Sequence, residues 1–165
     1  MSSHKAQRRH VLGATAILGV LGLVGATQAE AAGPGLVTTR SAYSVADTIA
    51  RFNAAVTEAG WMVFTEIDHA AAAARGGMKL APRTVVLFGN PRTGTPAMRA
   101  HPTLAIDLPM RVLAWQDDKG AVFVTRNTGR YVAETVFARH GIHVDAKGAA
   151  AMDGFFAKLV AAATA

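Results

Sequence analysis

The chain has 165 residues, a length that allows one domain with a sizeable hydrophobic core but not two ordinary domains. Apolar residues make up 51% of it, which excludes intrinsic disorder, and the lack of cysteine excludes disulfides, thiolate metal sites and cysteine nucleophiles. The formal net charge is +6, yet beyond the first 31 positions the basic residues are scattered singly. We therefore expect no nucleic-acid partner.

The N-terminus has the composition of an export signal. Basic residues at Lys5, Arg8 and Arg9 come first, and an uncharged, almost wholly apolar stretch follows over 11–25. The small-residue triplet that ends at Ala31 then offers a cleavage site. This order predicts a secretory signal peptide over 1–31, removed from the mature protein.

The length of the apolar stretch and the arginine pair bear on the route and on the final location. As a helix the stretch spans roughly 22 Å, short of the ~30 Å hydrocarbon core, so we expect no stable membrane insertion after cleavage. Arg8-Arg9 followed by Val11-Leu12 resembles the twin-arginine export signal, and an ordinary Sec signal is the alternative. Either route predicts a periplasmic or secreted protein.

The remaining chain alternates strand and helix patterns. In chain order we predict a linker with a first short strand over 32–42, a helix capped by Ser44 and stopped by Gly60, a strand over 61–67, and a short Ala-rich helix over 69–75 capped by Asp68. A strand over 84–88 and a turn-rich segment over 89–96 follow, and this segment leads into a helix. The rest is a strand over 108–116, a hairpin turn over 117–120, a strand over 121–125, a helix closed by Gly141, and an Ala-rich C-terminal helix over 143–165. The hairpin excludes a wholly parallel sheet, so the fold class is α+β: a single compact domain with a mainly antiparallel sheet packed with helices.

The apolar spacing also predicts the core. We expect the strand over 84–88 to lie inside the sheet and the strand over 61–67 to be covered on both faces. Six side chains on the apolar faces should be buried: Phe52, Val56, Phe64, Val86, Phe88 and Val112.

Three segments together resemble the family of domain of unknown function 302. They are 60–70, which contains Ile67-Asp68-His69-Ala70, 87–96, which contains Phe88-Gly89-Asn90-Pro91 and Gly94-Thr95, and 108–115. The resemblance covers about 43–142. It implies a compact α+β domain with a mainly antiparallel sheet and a homodimer, and it implies no reaction.

The turn-rich segment is the first candidate ligand site. Gly89 and Gly94 have the spacing of a phosphate loop, but Thr95-Pro96 stands where the Lys-Ser/Thr pair should be, which argues against nucleotide hydrolysis. A milder hypothesis is an anion-receptive loop before a helix N-terminus, formed by Gly89, Asn90, Arg92, Gly94 and Thr95. The structural alternative is a rigid strand-to-helix turn fixed by its prolines.

Histidines are the other candidates. His69 could act in acid–base chemistry, although Asp68 and His69 are adjacent on a helix and cannot easily face each other. His140 and His143 are candidate metal ligands, and the sequence identifies no cofactor.

Three functions follow from these patterns. The first is an exported, non-catalytic module that binds a small anionic ligand. The second is a small enzyme using His69 with the Gly89–Thr95 loop, and the third is a structural dimer without ligand. The two functions that need a ligand predict that His69 and the loop share one concave site, which requires their two preceding strands to be parallel neighbours.

Overall fold

The computed structural model of the protein describes residues 29–165, so the predicted signal peptide lies almost wholly outside the described residues. Six strands form one sheet: β1 (Ala29–Gly33), β2 (Leu36–Ser41), β3 (Met62–Asp68), β4 (Arg83–Gly89), β5 (Met110–Gln116) and β6 (Val122–Asn127). Their spatial order is β1-β2-β6-β5-β4-β3, and every neighbouring pair is antiparallel. The predicted cleavage bond after Ala31 lies within β1, the edge strand beside β2.

The helices follow the predicted order. They are α1 (Val45–Glu58), α2 (His69–Arg75), α3 (Pro91–Ala100), a 3₁₀ turn (Pro102–Ile106), α4 (Gly129–Tyr131) and α5 (Ala146–Thr164). α4 runs on as a π-helical segment (Val132–Phe137) and a 3₁₀ turn (Ala138–His140), and we call this whole stretch the 129–140 helix. None of the helices in the described part of the chain is long and apolar enough to cross a membrane. The antiparallel sheet together with these helices confirms the predicted α+β class.

Local signals in the sequence account for where several elements begin and turn. Ser44 caps α1 by accepting a hydrogen bond from the Asp47 N–H at 3.1 Å, and the Asp68 carboxylate accepts from the Ala71 N–H at the start of α2. In the β5–β6 hairpin, Gly120 has a φ of 83°, which a side chain would oppose.

The hydrophobic core lies between one face of the sheet and a layer made by α1 and α5. Inward-facing residues of β4, β5 and β6 alternate with outward-facing ones, and they meet two stripes of helical side chains. The stripe on α1 is Val45, Ile49, Phe52 and Val56, and that on α5 is Phe156, Leu159, Val160 and Ala163. Five of the six predicted core residues are buried, and β4 lies inside the sheet between β5 and β3, both as predicted.

The prediction for β3 is wrong. This strand lies at the edge of the sheet and is largely exposed, and Phe64, expected in the core, is 50% exposed. The register shifts between Val63 and Thr65, which is an irregularity of the bulge type. Strict alternation therefore fails at Phe64, and the periodicity argument that buried this ring fails with it.

Candidate functional site

The register of β3 against β4 separates the two predicted halves of the site. The strands are antiparallel, with Met62 opposite Gly89 and Asp68 opposite Thr84. His69, which follows Asp68, therefore lies at the opposite end of the strand pair from the loop that follows Gly89. The prediction of one site shared by His69 and the Gly89–Thr95 loop is wrong, and the enzyme hypothesis loses the shared geometry on which it rested.

The predicted anion loop is the first turn of α3. Asn90 is the N-cap, and its carboxamide oxygen accepts from the Arg92 N–H at 2.9 Å. The Asn90 backbone carbonyl accepts from the N–H groups of Thr93 at 3.1 Å and Gly94 at 2.8 Å. Pro91 has no N–H, so the donors on which the anion hypothesis rested are already used inside the turn.

A cleft of about 480 Å³ opens beside this turn. Most of its lining is apolar or aromatic and comes from β3 and the residue before it, α3, the 3₁₀ turn, the stretch that leads from this turn into β5, the 129–140 helix and α5. The residues of this kind are Trp61, Phe64, Pro91, Ala97, Met98, Leu104, Leu108, Pro109, Met110, Phe137, Met152 and Phe156. The polar side chains and glycines that complete the lining are Gly89, Asn90, Thr93, Gly94 and Thr95. Its volume and composition are those of a small-molecule site.

Four of the predicted site residues thus line one cleft, namely Gly89, Asn90, Gly94 and Thr95. Arg92 is exposed and outside the lining. Gly89 is needed for close packing, because a Cβ there would lie 3.2 Å from Cε2 of Phe64. Gly89 and Gly94, which suggested an anion loop, therefore line a largely apolar cleft.

A second, more polar groove of about 650 Å³ lies at the other end of the β3–β4 pair. Asp68 and Ala70, which flank His69, are among its lining residues. Asn53 donates to a Glu66 carboxylate oxygen at 2.7 Å, while the Asn53 carboxamide oxygen and the Arg83 Nε are buried without a partner among the described residues. The two predicted motifs therefore border two separate concavities.

His140, one of the two candidate metal ligands, forms contacts through both ring nitrogens. Its Nε2 lies 2.5 Å from a carboxylate oxygen of Asp107, and its Nδ1 lies 2.9 Å from the hydroxyl of Thr103. Arg139 pairs with the same carboxylate. Across residues 29–165, no group of three or more His, Cys, Asp or Glu side chains could hold a metal ion.

A second ion pair fastens α5 to the sheet. The buried Arg126 guanidinium donates to a carboxylate oxygen of Asp153 at 2.7 Å, and the Gly129 N–H donates to the same oxygen at 2.9 Å. The guanidinium first, and then the Gly129 N–H, hold the pKa of Asp153 below its ordinary value near 3.8, against the opposing effect of burial.

Acid should therefore weaken this fastening. Because the folded-state pKa lies below the unfolded one, the ionised carboxylate stabilises the fold above about pH 4, and the contribution is lost as pH falls through the folded value. We expect the drop in unfolding free energy between pH 7 and pH 3, measured with urea, to be smaller for Asp153→Asn than for the natural protein. Asp118→Asn, an exposed hairpin position, is the matched control and should leave the drop unchanged.

The fold and the cleft together define a small two-layer α+β domain with a concave apolar site beside the N-terminal turn of α3. The family model described as "Domain of unknown function DUF302" matches residues 37–159, and the chain belongs to that family. The match starts in β2 and ends in α5, so it takes in part of the C-terminal helix.

A solved structure shares the fold. The crystal structure of a DUF302 protein from Bacillus stearothermophilus superimposes with a TM-score of 0.65 at 14% sequence identity. The similarity covers 79% of this chain and 99% of that one. At this identity the likeness establishes the fold alone.

Two curated relatives are more similar in sequence. A protein named fluoride-specific ion channel FluC 1 from Brucella suis is 44% identical over 100 residues, which are 61% of this chain and 39% of that protein. One named fluoride-specific ion channel FluC 2 from Brucella melitensis is 44% identical over 100 residues and 37% of its own length. The chain therefore spans well under half the length of these relatives.

Sequence reasoning missed most of the cleft. None of its apolar lining residues was predicted to bind a ligand, and Phe64 was predicted to lie in the core. Apolar lining residues give the same periodic signal as core residues, and only a strand order could have brought them together.

Proposed function

We propose that the protein is an exported module that binds a small ligand with a largely apolar body in the cleft beside α3 and does not transform it there. The observation that carries the proposal is the lining itself, with twelve apolar or aromatic side chains around about 480 Å³ and polar side chains confined to Asn90, Thr93 and Thr95. Binding in such a site is driven by removing apolar surface from water, while a few polar groups set the orientation. The export component rests on the N-terminal sequence.

The three polar side chains differ in what they still offer a ligand. The Thr93 hydroxyl donates to the Asn90 carbonyl at 3.1 Å, and the Asn90 carboxamide oxygen accepts from the Arg92 N–H. The carboxamide N–H groups of Asn90 and the hydroxyl of Thr95 make no hydrogen bond among the described residues, so they offer donors at the polar end of the cleft. This favours a ligand with one hydrogen-bond acceptor on an apolar body.

A direct test uses a neutral fluorescent probe, N-phenyl-1-naphthylamine, whose emission rises in apolar surroundings. At about 0.3 kcal/mol per non-hydrogen atom its binding free energy is about 5 kcal/mol, and the expected Kd is on the order of 0.1 mM. Trp61 lines the cleft and the other of the two tryptophans, Trp115, does not, so in a Trp115→Phe background the quenching of Trp61 reports occupancy.

A pair of glycine variants decides whether the probe occupies this cleft. At Gly94 a Cβ would lie 3.7 Å from Leu108 Cδ1 and 4.0 Å from Met98 Cε, so Gly94→Leu should fit and fill the cleft. Gly154, on α5, has nothing within 4 Å of an added Cβ, which makes Gly154→Leu the matched control. We expect at least a tenfold loss of probe affinity in Gly94→Leu alone. Equal binding by both variants would contradict the proposal.

A small anion is a second candidate ligand. The relatives bear the name of a channel specific for fluoride, which is an anion, and this is the observation that favours it. The sulfonated probe 8-anilino-1-naphthalenesulfonate, compared with its neutral analogue, distinguishes the candidates. If the sulfonate binds more tightly than the neutral probe, and if this binding is lost in Gly94→Leu, the ligand carries an anionic group that lies at the polar end of the cleft. Equal affinity of the two probes would indicate an apolar ligand.

A homodimer is the third candidate, and the exposed edge strand β3 favours it. Met62, Phe64 and Ile67 are 49%, 50% and 42% exposed, and an unpaired strand edge with apolar side chains is a template for pairing with another chain. Sedimentation of the natural protein measures its mass in solution. A monomer at all accessible concentrations would rule this candidate out.

A further inference from the structure

Three side chains outside the cleft lining form a continuous line of hydrogen bonds. Thr103 lies in the 3₁₀ turn that follows α3, Asp107 lies directly after that turn, and His140 ends the 129–140 helix. Asp107 Oδ2 is 2.5 Å from His140 Nε2, and His140 Nδ1 is 2.9 Å from Thr103 Oγ1. A carboxylate, an imidazole and a hydroxyl in this order constitute an orienting group, a base and a nucleophile.

For a neutral His140 ring, the hydrogen bond to Asp107 selects the tautomer. An ionised carboxylate only accepts, so the short contact requires a proton on Nε2 of His140. In the neutral imidazole Nδ1 then carries a lone pair and accepts from the Thr103 hydroxyl. In the serine protease triad Nδ1 faces the carboxylate and Nε2 faces the hydroxyl, whereas here Nε2 faces Asp107 and Nδ1 faces Thr103. The order of donors and acceptors along the three groups is the same.

Burial and charge hold this tautomer in place. The His140 side chain is only 6% exposed, which confines its ring. Arg139 pairs with both carboxylate oxygens of Asp107, its Nε donating to Oδ2 at 2.6 Å. Arg139 first, and then His140, hold the pKa of Asp107 below its ordinary range, so the carboxylate stays ionised at neutral pH. Thr103 itself is exposed and open to a reactant.

We propose that Thr103 is a nucleophile that His140 activates toward activated carboxylic esters, at a site separate from the ligand cleft. The Thr103 proton passes to Nδ1 of His140 as Oγ1 forms a bond to the ester carbonyl carbon. The bond from that carbon to the alkoxy or aryloxy group breaks, and the leaving alcohol or phenol takes the proton from His140. A water molecule then gives a proton to Nδ1 of His140 as its oxygen forms a bond to the acyl carbon. The bond from that carbon to Oγ1 breaks, the acid is released, and Oγ1 takes the proton back from His140. Asp107 and Arg139 are positioning residues.

The natural protein supplies the first arm of the test. It is incubated with p-nitrophenyl acetate, and acetylated sites are quantified by peptide mass spectrometry over time. Thr135 is the internal reference, since it is also exposed and lies on the same 129–140 helix. We expect Thr103 to be acetylated at least about tenfold faster than Thr135. Equal labelling of the two threonines would overturn the proposal, and so would the absence of label at Thr103 together with no release of p-nitrophenolate above the rate in buffer. Neither result depends on a variant that folds.

Variants supply the second arm. Thr103→Val keeps the shape and should abolish the adduct at this position, while Thr135→Val should leave Thr103 labelling unchanged. His140→Gln should slow Thr103 acetylation by about a hundredfold, the size of a lost general base. Asp107→Asn should slow it at least about tenfold, since the wrong tautomer of His140 becomes accessible. Unchanged Thr103 labelling in a folded His140→Gln protein, as judged by circular dichroism, would overturn the proposal.

Discussion

Replacement of Phe88 by alanine is expected to lower the free energy of unfolding by about 3–5 kcal/mol, the cost of removing a large buried aromatic side chain. Phe88 is 3% exposed on the inner face of β4. Its ring meets Phe52 edge-on with centroids 5.1 Å apart, and it also contacts Phe156 at 6.0 Å and Trp61 at 6.1 Å. Two of these partners lie on α1 and α5 and the third lies directly before β3, so the cavity would open where both helices meet the sheet.

Phe64→Ala is the matched control for this experiment. Phe64 is on the neighbouring strand but half exposed, so its truncation removes little buried surface and should cost about 1 kcal/mol. Urea unfolding of both variants gives the comparison, because a shift in midpoint at constant slope reports stability. Equal losses of unfolding free energy at the two positions would contradict the edge position of β3. A loss below about 1 kcal/mol at Phe88 would contradict its place in the hydrophobic core.

The second large effect is expected at Gly129, where the 129–140 helix touches α5. A Cβ at this position would lie 2.2 Å from the Ala149 carbonyl oxygen and 2.6 Å from the Asp153 nitrogen, distances at which the backbone must shift. Gly129→Ala should therefore destabilise the protein by about 1–3 kcal/mol through overpacking, although alanine favours helix. It should also disturb the hydrogen bond from the Gly129 N–H to Asp153.

Gly154→Ala is the control with the opposite expected sign. Gly154 lies inside α5, and an added Cβ meets nothing within 4 Å. Alanine there should stabilise the protein by about 0.5–1 kcal/mol, since glycine inside a helix pays a backbone entropy cost. Thermal unfolding of the two variants measures both signs at once. Stabilisation by Gly129→Ala would mean that the two helices do not approach each other as described.

The local features of the fold were predictable from sequence because they depend on neighbouring residues. Ser44 and Asp68 correctly predicted the starts of α1 and α2, and the Asp117–Gly120 turn correctly predicted an antiparallel strand pair. Phe64 shows the limit of this reasoning. Alternation placed it inside, and an irregularity in the register, which no local pattern signals, placed it at the surface.

The site was less predictable because it depends on strand order and on contacts between distant segments. His69 and Asn90 both follow apolar strands, and only the antiparallel pairing of β3 with β4 reveals that they lie at opposite ends. Thr103 and Asp107 lie more than 30 residues from His140, so the three residues form no motif that could be recognised in the sequence. Asn90, by contrast, was predicted as a site residue from its turn, and the structure places that turn beside the cleft.

Methionine methyl groups provide the most direct test of the proposed binding cleft. Met98, Met110 and Met152 line it, whereas Met62 and Met78 are outside the lining and are 49% and 63% exposed. In protein labelled with ¹³C at the methionine methyl groups, N-phenyl-1-naphthylamine should shift the three cleft signals together in a saturable manner and leave Met62 and Met78 in place. Shifts confined to Met62 and Met78, or no saturable shift at the three cleft methionines, would contradict the proposal that this cleft binds a small apolar ligand.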